Sequence, residues 1–272
     1  MNITLLVNRD LPSCVALNYI LPALSNHRMF VFFSSRVGKK NEAIPAALKQ
    51  LQFFEQGLFN DVIFPLLDLN NSRSEKASLQ SFAGLSRYCA AEPEELNDIN
   101  GDGLKDFIST EPDLVISIRY GVILQQEVIS IPSFGVLNLH SGDLPRYRGV
   151  MASFRALVAG DSELKTTLHF IDDESIDSGP IVGKSALKVE VEKSYLWHVL
   201  ALYERGSRLV LDIIDQIDSG KEIAPKAALK GLDVSQYYSF PSRKDIEKFE
   251  KLGFTLAQPE DVLPFVQKFT GE

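Results

Sequence analysis

The first 35 residues alternate between short apolar runs and a segment with helical spacing. Residues 2–7 and 29–35 are continuous apolar runs of strand length, and residues 13–24 between them carry apolar side chains at helical intervals. The stretch NRDLP supplies a turn between the first strand and the helix. This order of strand, helix and strand predicts a parallel sheet that is covered by helices.

The rest of the chain continues the alternation. A hairpin at a sheet edge is predicted for residues 164–189. Apolar and polar residues alternate at 164–172, the loop DESIDSG follows, and a second strand-like run covers 180–189. The remaining pattern predicts helices at 43–59, 103–110, 150–160 and 194–219, strands at 81–88, 113–119 and 134–140, and one or two short helices after 221. We therefore expect an α/β fold, a Rossmann-like and mostly parallel sheet with helices on both faces, plus a small C-terminal appendage.

Composition narrows the class of protein. The 272 residues are 45% hydrophobic and 24% charged, with a net charge of -8. Such an acidic chain disfavours a nucleic-acid partner. Cys14 and Cys89 lack metal-type spacing and are interpreted as reduced thiols, and we expect no metal. The chain shows neither a secretory signal nor an apolar run near the roughly 20 residues of a membrane span, so a cytoplasmic protein without a membrane partner is expected.

The most informative polar residues are Asn138, His140 and Asp177. Asn138 and His140 are two apart on a predicted strand, so their side chains lie on the same side. An imidazole can accept a proton, an amide can donate to a developing oxyanion, and a carboxylate can orient the ring. The set suits acyl transfer, although a histidine at a strand end is more often structural.

The string FGVLNLHSGDLPRYRG, followed by a helix, a strand and IDSGPIV, resembles the core of formyltransferases that use 10-formyltetrahydrofolate. The family's mark is an Asn, a His two residues later, a Ser-Leu-Leu-Pro-like loop ending in Gly, and an Asp before Gly. The resemblance covers about residues 80–190. The chain departs from it at SGDLP and at Phe154–Arg155, where Trp is common. SGDLP and IRYG resemble the branch that formylates amines on nucleotide-linked sugars.

The resemblance implies a formyltransferase catalytic domain at 1–190 and a C-terminal helix with a small subdomain at 191–272. It implies Asn138 as the oxyanion donor, His140 as the group that takes or relays the amine proton, and Asp177 as its partner, with the final base left open. The loops expected to bind the folate contain Arg119, Tyr120, Gly121, Val122, Ile123, Leu124, Asp172, Asp173 and Ser175. The residues expected to bind the acceptor are Ser141, Gly142, Arg146, Tyr147, Arg148 and Gly149.

Several alternatives remain open. The acceptor is expected to be a nucleotide-linked amino sugar, for example a 4-amino-4,6-dideoxy sugar of surface or flagellin glycans. A methionyl-tRNA formyltransferase-like enzyme, a glycinamide ribonucleotide enzyme or a non-catalytic binding protein on the same fold is the alternative. A homodimer through 194–219 is also open.

Other motifs receive ordinary interpretations. The start of a calcium loop at 98–106 fails because its twelfth position is Ser109, where a Glu is needed. Tyr237 and Phe240 are expected to pack in the appendage or to line the substrate site. His27, His169 and His198 are treated as surface or core residues, although His169 could face the cleft.

Overall fold

A seven-stranded sheet organises the protein. The computed structural model describes residues 1–35, 45–69, 77–224 and 237–271. The strand order in the sheet is β3-β2-β1-β4-β5-β7-β8, and the strands are Asn2–Asn8 (β1), Arg28–Ser34 (β2), Glu94–Glu95 (β3), Leu114–Ile118 (β4), Val136–His140 (β5), Glu163–Ile171 (β7) and Ile181–Lys188 (β8). β3, β2, β1, β4 and β5 are parallel to one another, while β7 pairs antiparallel with both β5 and β8. The predicted mostly parallel sheet and its edge hairpin are thereby confirmed.

Two further strands lie outside the main sheet. Arg148–Gly149 (β6) and Tyr237–Tyr238 (β9) pair in parallel, so the loop after β5 contacts the C-terminal part of the chain. The α-helices are Leu11–Ile20 (α1), Ala46–Gln52 (α2), Phe64–Leu69 (α3), Phe82–Leu85 (α4), Leu104–Ser109 (α5), Gln126–Ile129 (α6), Ala152–Ala159 (α7), Tyr195–Asp218 (α8), Arg243–Lys251 (α9) and Pro259–Thr270 (α10). Short 3-10 turns follow α1 and α4, and a π-helical segment, Phe53–Ile63, joins α2 to α3.

Apolar side chains cover both faces of the sheet. Leu137 and Leu139 of β5 belong to the cluster that contains α1 and α8, while Val136 belongs to the cluster that contains α5 and α6. Because side chains alternate along a strand, Asn138 and His140 share the face of Val136, away from α8. Burying this much apolar surface is the main stabilising contribution to the fold.

The N-terminus of α1 shows how sequence sets a local boundary. Asp10 is its N-cap, and its side chain accepts a hydrogen bond from the backbone amide of Ser13 at 2.9 Å. Pro12 follows within the first turn, where a missing amide hydrogen is harmless. The carboxylate therefore accepts a hydrogen bond from a first-turn amide that has no partner within the helix.

One expectation changes in the structure, and one stays untested. The predicted strand at 81–88 is wrong: Ser81 caps Gly84, and the segment forms α4 and a 3-10 turn. A serine at an N-cap with a following apolar pair favours that helical turn. In the C-terminal part, Phe249 and Phe269 pack in the same apolar cluster as the sheet. The domain boundary at 190 stays a prediction.

Among the described residues, no helix is both long enough and apolar enough to cross a membrane. The part of the predicted helix 43–59 at residues 43 and 44 lies outside the described residues, and the helix begins at Ala46.

Candidate active site

Two neighbouring strands place residues of the candidate site side by side. Asn138 of β5 pairs in register with His169 of β7, and its Nδ2 lies 3.1 Å from Nε2 of that ring. Nδ1 of His169 lies 2.8 Å from the carbonyl oxygen of Phe170, to which it donates. Nε2 of the neutral ring is therefore an acceptor for the Asn138 amide. Sheet register thus fixes the orientation of Asn138.

Three side chains converge on one oxygen of Asp177. Its Oδ1 lies 3.3 Å from Nδ2 of Asn138, 3.5 Å from Nδ1 of His140 and 3.5 Å from Nε2 of His169. Its Oδ2 accepts a shorter hydrogen bond, 2.7 Å, from the backbone amide of Gly149. The loop between β7 and β8 folds back to bring Asp177 to this position, where its backbone adopts a left-handed φ of 52°.

The environment of Asp177 keeps its carboxylate charged. Burial by itself would raise the pKa of Asp177, but His140, His169 and the Gly149 amide oppose burial and hold the pKa well below its ordinary value. A carboxylate with so low a pKa is a weak base. It can stabilise a neighbouring positive charge without itself holding a proton at neutral pH.

The other side of His140 contacts the loop that follows β5. Its Nε2 lies 2.8 Å from the carbonyl oxygen of Tyr147, so Nε2 carries the hydrogen and donates it. Only Nδ1 then faces Asp177 and the centre of the site. Gly142 lies under the ring, since a Cβ at this position would come to 2.5 Å from Nε2. The loop therefore sets the orientation of the imidazole.

The start of this loop is anchored by an ionic contact. Asp143 binds Nζ of Lys165 at 3.0 Å and Nζ of Lys184 at 2.5 Å, and these lysines lie on β7 and β8. Burial acts to raise the pKa of Asp143, but the two lysines outweigh it and lower that pKa. Thr167, which pairs with His140, donates to the Gly142 carbonyl at 2.6 Å. Sequence analysis missed Asp143 as an anchor, because it appeared only as a departure from the family motif.

The residues predicted to bind folate fall into two loops. Ser117 pairs in register with Asn138, so the 119–124 loop leaves the sheet beside the end of β5. The amide of Gly121 donates to Oγ of Ser34 at 2.8 Å, and Tyr120 donates its hydroxyl hydrogen to the Leu96 carbonyl. Val122 packs against the second apolar cluster, Leu124 is buried in it, and Ile123 is exposed.

The second predicted loop is exposed beside the site. Asp172, Asp173 and Ser175 are all exposed, and the Ser175 amide donates to Oδ1 of Asp173 at 2.7 Å. This loop carries Asp177 two residues further on. Its position next to the centre of the site agrees with the prediction that it binds folate, which stays a prediction.

The side chain of Arg119 takes a different direction from its loop. Its Nε lies 2.7 Å from Oδ2 of Asp10, and one terminal nitrogen lies 3.2 Å from Oε1 of Glu55. These partners come from the loop before α1 and from the π-helical segment. The guanidinium therefore stabilises a second charged cluster, and any contact of this residue with folate would involve its backbone.

The residues predicted to bind the acceptor surround the loop after β5. The Ser141 carbonyl accepts from Ser153 at 2.6 Å. The exposed Arg146 and the buried Tyr147 both bind Oδ2 of Asp161, at 3.0 and 2.9 Å. The guanidinium of Arg148 donates to the Ile176 carbonyl. The structure thus brings Arg148 and Gly149 to Asp177 or its loop and Tyr147 to His140, while Arg146 lies further out.

Sequence analysis noted that His169 could face the cleft but did not include it among the candidate site residues. It was expected to be a surface or core residue, and it is fully buried yet contacts Asn138 and Asp177. Its position in an alternating strand was the available signal. The pairing of His169 with Asn138 could not be inferred without the register of β7 on β5.

In the parts of the chain that the structure describes, no group of three or more His, Cys, Asp or Glu side chains is arranged to hold a metal ion. The side chains that meet at the site are an amide, two imidazoles and a carboxylate.

Comparison with known sequences shows which family the stretch around this cluster is similar to. Residues 81–199 match the model of the formyl transferase family. Asn138, His140 and Asp177 all lie in this matched stretch.

The chain also resembles longer curated proteins. It is 29% identical over 167 residues to the methionyl-tRNA formyltransferase of Fusobacterium nucleatum, a match that covers 60% of this chain and 53% of that protein. The chain spans about half the length of the curated relatives it matches.

Solved structures share the fold. Glycinamide ribonucleotide transformylase 1 from Symbiobacterium toebii has a TM-score of 0.54 at 16% identity, with 80% of this chain and 87% of that chain covered. An N-formyltransferase from Helicobacter canadensis, in complex with folinic acid and dTDP-3-aminofucose, has a TM-score of 0.53 at 16% identity, with 90% and 72% covered. The predicted formyltransferase fold is confirmed.

Proposed function

We propose that this protein transfers the formyl group of 10-formyltetrahydrofolate to the amine of a nucleotide-linked amino sugar. The observation that carries the proposal is the convergence of Asn138, His140 and His169 on Oδ1 of Asp177 inside a formyl transferase domain. Formyl transfer to an amine needs an oxyanion donor and a proton acceptor. This cluster supplies both in one group of neighbouring side chains.

His140 is the final proton acceptor in this scheme. Its Nε2 donates to the Tyr147 carbonyl, so Nδ1 is the nitrogen that can take the proton lost by the attacking amine. Asp177, with its lowered pKa, stabilises the imidazolium that forms and does not hold the proton. The same proton can then pass to the leaving N10 of the folate, which balances the exchange.

Asn138 holds the formyl oxygen. One hydrogen of its amide is taken by His169, and the other lies 3.3 Å from Asp177, a long contact that a better acceptor can replace. As the amine attacks, charge develops on the formyl oxygen, and a preoriented amide stabilises that charge. His169 thus contributes by fixing the direction of the amide.

The choice of acceptor rests on charge and on a relative. The Helicobacter canadensis enzyme, which shares the fold over 90% of this chain, was solved with a nucleotide-linked amino sugar. A net charge of -8 disfavours tRNA, the substrate named for the curated relatives. Asp10 caps α1 with a carboxylate, which repels a phosphate from that helix end and disfavours a ribonucleotide there.

The direct test is a mass-spectrometric assay of the purified protein. We expect one formyl group to be added to at least one member of a panel of UDP-, dTDP- and GDP-linked 3-amino and 4-amino sugars, only when 10-formyltetrahydrofolate is present. Methionyl-tRNA and glycinamide ribonucleotide serve as competing acceptors in the same assay. Product on either of these, with none on any sugar, would overturn the proposed acceptor.

A variant pair ties the product to the site. His140→Ala should remove the product, whereas His27→Gln, which changes a histidine that pairs with Asp218, should retain it. Loss of product in both variants, or in neither, would contradict the assignment of the site.

A further inference from the structure

Arg155 joins helix α7 to the C-terminal segment 237–239. One terminal nitrogen donates to the Ser239 carbonyl at 3.1 Å, and the other lies 3.1 Å from Oδ1 of Asp245. The guanidinium carbon lies 5.1 Å from the centre of the Tyr238 ring. With 13% of its side chain exposed, Arg155 is held between the two parts of the chain by three partners.

The segment 237–239 lies directly on the active-site loop. Tyr237 and Tyr238 pair with Arg148 and Gly149, and the amide of Val150 donates to the Tyr238 carbonyl at 2.8 Å. Gly149 has a φ of 92°, and a Cβ added there would overlap the Tyr238 carbonyl oxygen. Only glycine allows so close an approach of the segment.

Gly149 in turn contacts the carboxylate of the site. Its amide lies 2.7 Å from Oδ2 of Asp177, closer than any of the three side chains that approach Oδ1. A continuous set of contacts therefore runs from Arg155 through residues 237–239 and Gly149 to Asp177.

We propose that Arg155 is a positioning residue of the formyl-transfer site, which holds segment 237–239 against Gly149 and thereby keeps the Gly149 amide directed at Asp177. The role in transfer rests on the proposed function, while the coupling itself does not. A ladder of two residues is too short to be stable alone, so it depends on an external anchor. Arg155 supplies that anchor with charged hydrogen bonds, which are stronger than neutral ones.

Amide hydrogen exchange measured by NMR tests the coupling without any substrate. Arg155→Met, which keeps the aliphatic stem, should speed exchange at Gly149 and Val150 by at least about tenfold. Arg155→Lys should have a smaller effect, and it carries the same test if the methionine variant does not fold. The control is Arg243→Met, since Arg243 is an exposed arginine of α9 that pairs with Glu247. Unchanged exchange at both amides in the Arg155 variants would overturn the proposal.

Kinetics test the consequence for transfer. We expect Arg155→Met to lower kcat about tenfold with the KM for 10-formyltetrahydrofolate unchanged, and Arg155→Lys to restore part of the loss. In an Asp177→Asn background the same change should have little further effect, because both act through one carboxylate. Full additivity of the two losses would contradict a positioning role. Altered exchange in the Arg155 variants, together with no formyl transfer by the wild-type protein, would refute the proposed function and leave the coupling standing.

Discussion

Two buried clusters of charged side chains lie beside neighbouring strands, and they shift the pKa of a carboxylate in opposite directions. At β5, two imidazoles, an amide side chain and a backbone amide surround the single carboxylate of Asp177 and lower its pKa. At β4, Asp10 and Glu55 share the guanidinium of Arg119. Burial raises the pKa of Glu55 to about 7, and Arg119 offsets burial only in part.

The ratio of donors to carboxylates explains the difference. Two amide donors, together with two imidazoles that can carry positive charge, surround one carboxylate and keep Asp177 charged across the neutral range, as stabilisation of an imidazolium requires. One guanidinium for two carboxylates leaves Glu55 close to its midpoint at neutral pH. The comparison agrees with the proposal that the cluster at β5 takes part in the chemistry, whereas the Arg119 cluster joins the loop before α1 to the π-helical segment.

The largest effect on turnover should come from removing the negative charge of Asp177. Asp177→Asn keeps the shape of the side chain but can no longer stabilise a charged His140, so we expect kcat to fall by about 10³-fold. Steady-state kinetics of formyl transfer measure this loss. Asp218→Asn, at the pair with His27, is the matched control and should leave kcat within about twofold. A fall of less than about tenfold for Asp177→Asn would remove the contrast between the two clusters.

A smaller loss should follow from changing the partner of Asn138. His169→Gln removes the ring that accepts from Asn138 and lies against Asp177, so we expect kcat to fall between about 10-fold and 100-fold. His198 is also a buried histidine, and it binds the backbone at Ser194 and Glu190. His198→Gln should retain kcat within about twofold. Equal losses in the two variants would show that His169 matters for packing alone.

The smallest effect concerns stability at the second cluster. The pKa of Glu55 rises from 4.5 to about 7 on folding, so its contribution to stability is present below pH 4.5 and lost as the pH rises through 7. Glu55→Gln removes this dependence. Relative to wild type, its free energy of unfolding should therefore increase by on the order of 1 kcal/mol between pH 5 and pH 8.

Urea unfolding at the two pH values measures this difference. The contribution of Asp177 to stability has the opposite pH dependence. Because folding lowers the pKa of Asp177, this carboxylate stabilises the fold at pH values above its ordinary pKa, and that stabilisation is lost as the pH falls. A Glu55→Gln difference that is the same at both pH values would show that folding does not raise the pKa of Glu55, and would remove the contrast with Asp177.

Much of the fold could be predicted because its signals are local. The apolar runs of β1, β2, β4 and β5 and the amphipathic α8 carry their own periodicity, and the structure confirms them. The segment at 81–88 was predicted wrongly because its apolar residues are too few to distinguish a strand from a helical turn. Capping by Ser81 decided the outcome.

The sequence predicted only those parts of the site whose residues are close together along the chain. Asn138 and His140 are two apart on one strand, and that spacing placed them together. The contribution of His169 depends on the pairing of β7 with β5, and the contact of Tyr238 with Gly149 joins positions 89 residues apart along the chain (238 − 149 = 89). Neither arrangement has a local signal in the sequence.

The central claim is that the cluster around Asp177 performs formyl transfer on a bound folate. The most direct measurement compares folate binding and turnover in wild type and His140→Ala, with binding followed by calorimetry and turnover by mass spectrometry. The account predicts that the variant binds 10-formyltetrahydrofolate within a few-fold of wild type and forms product at least about 10²-fold more slowly. Turnover at the wild-type rate in the His140→Ala variant would contradict it.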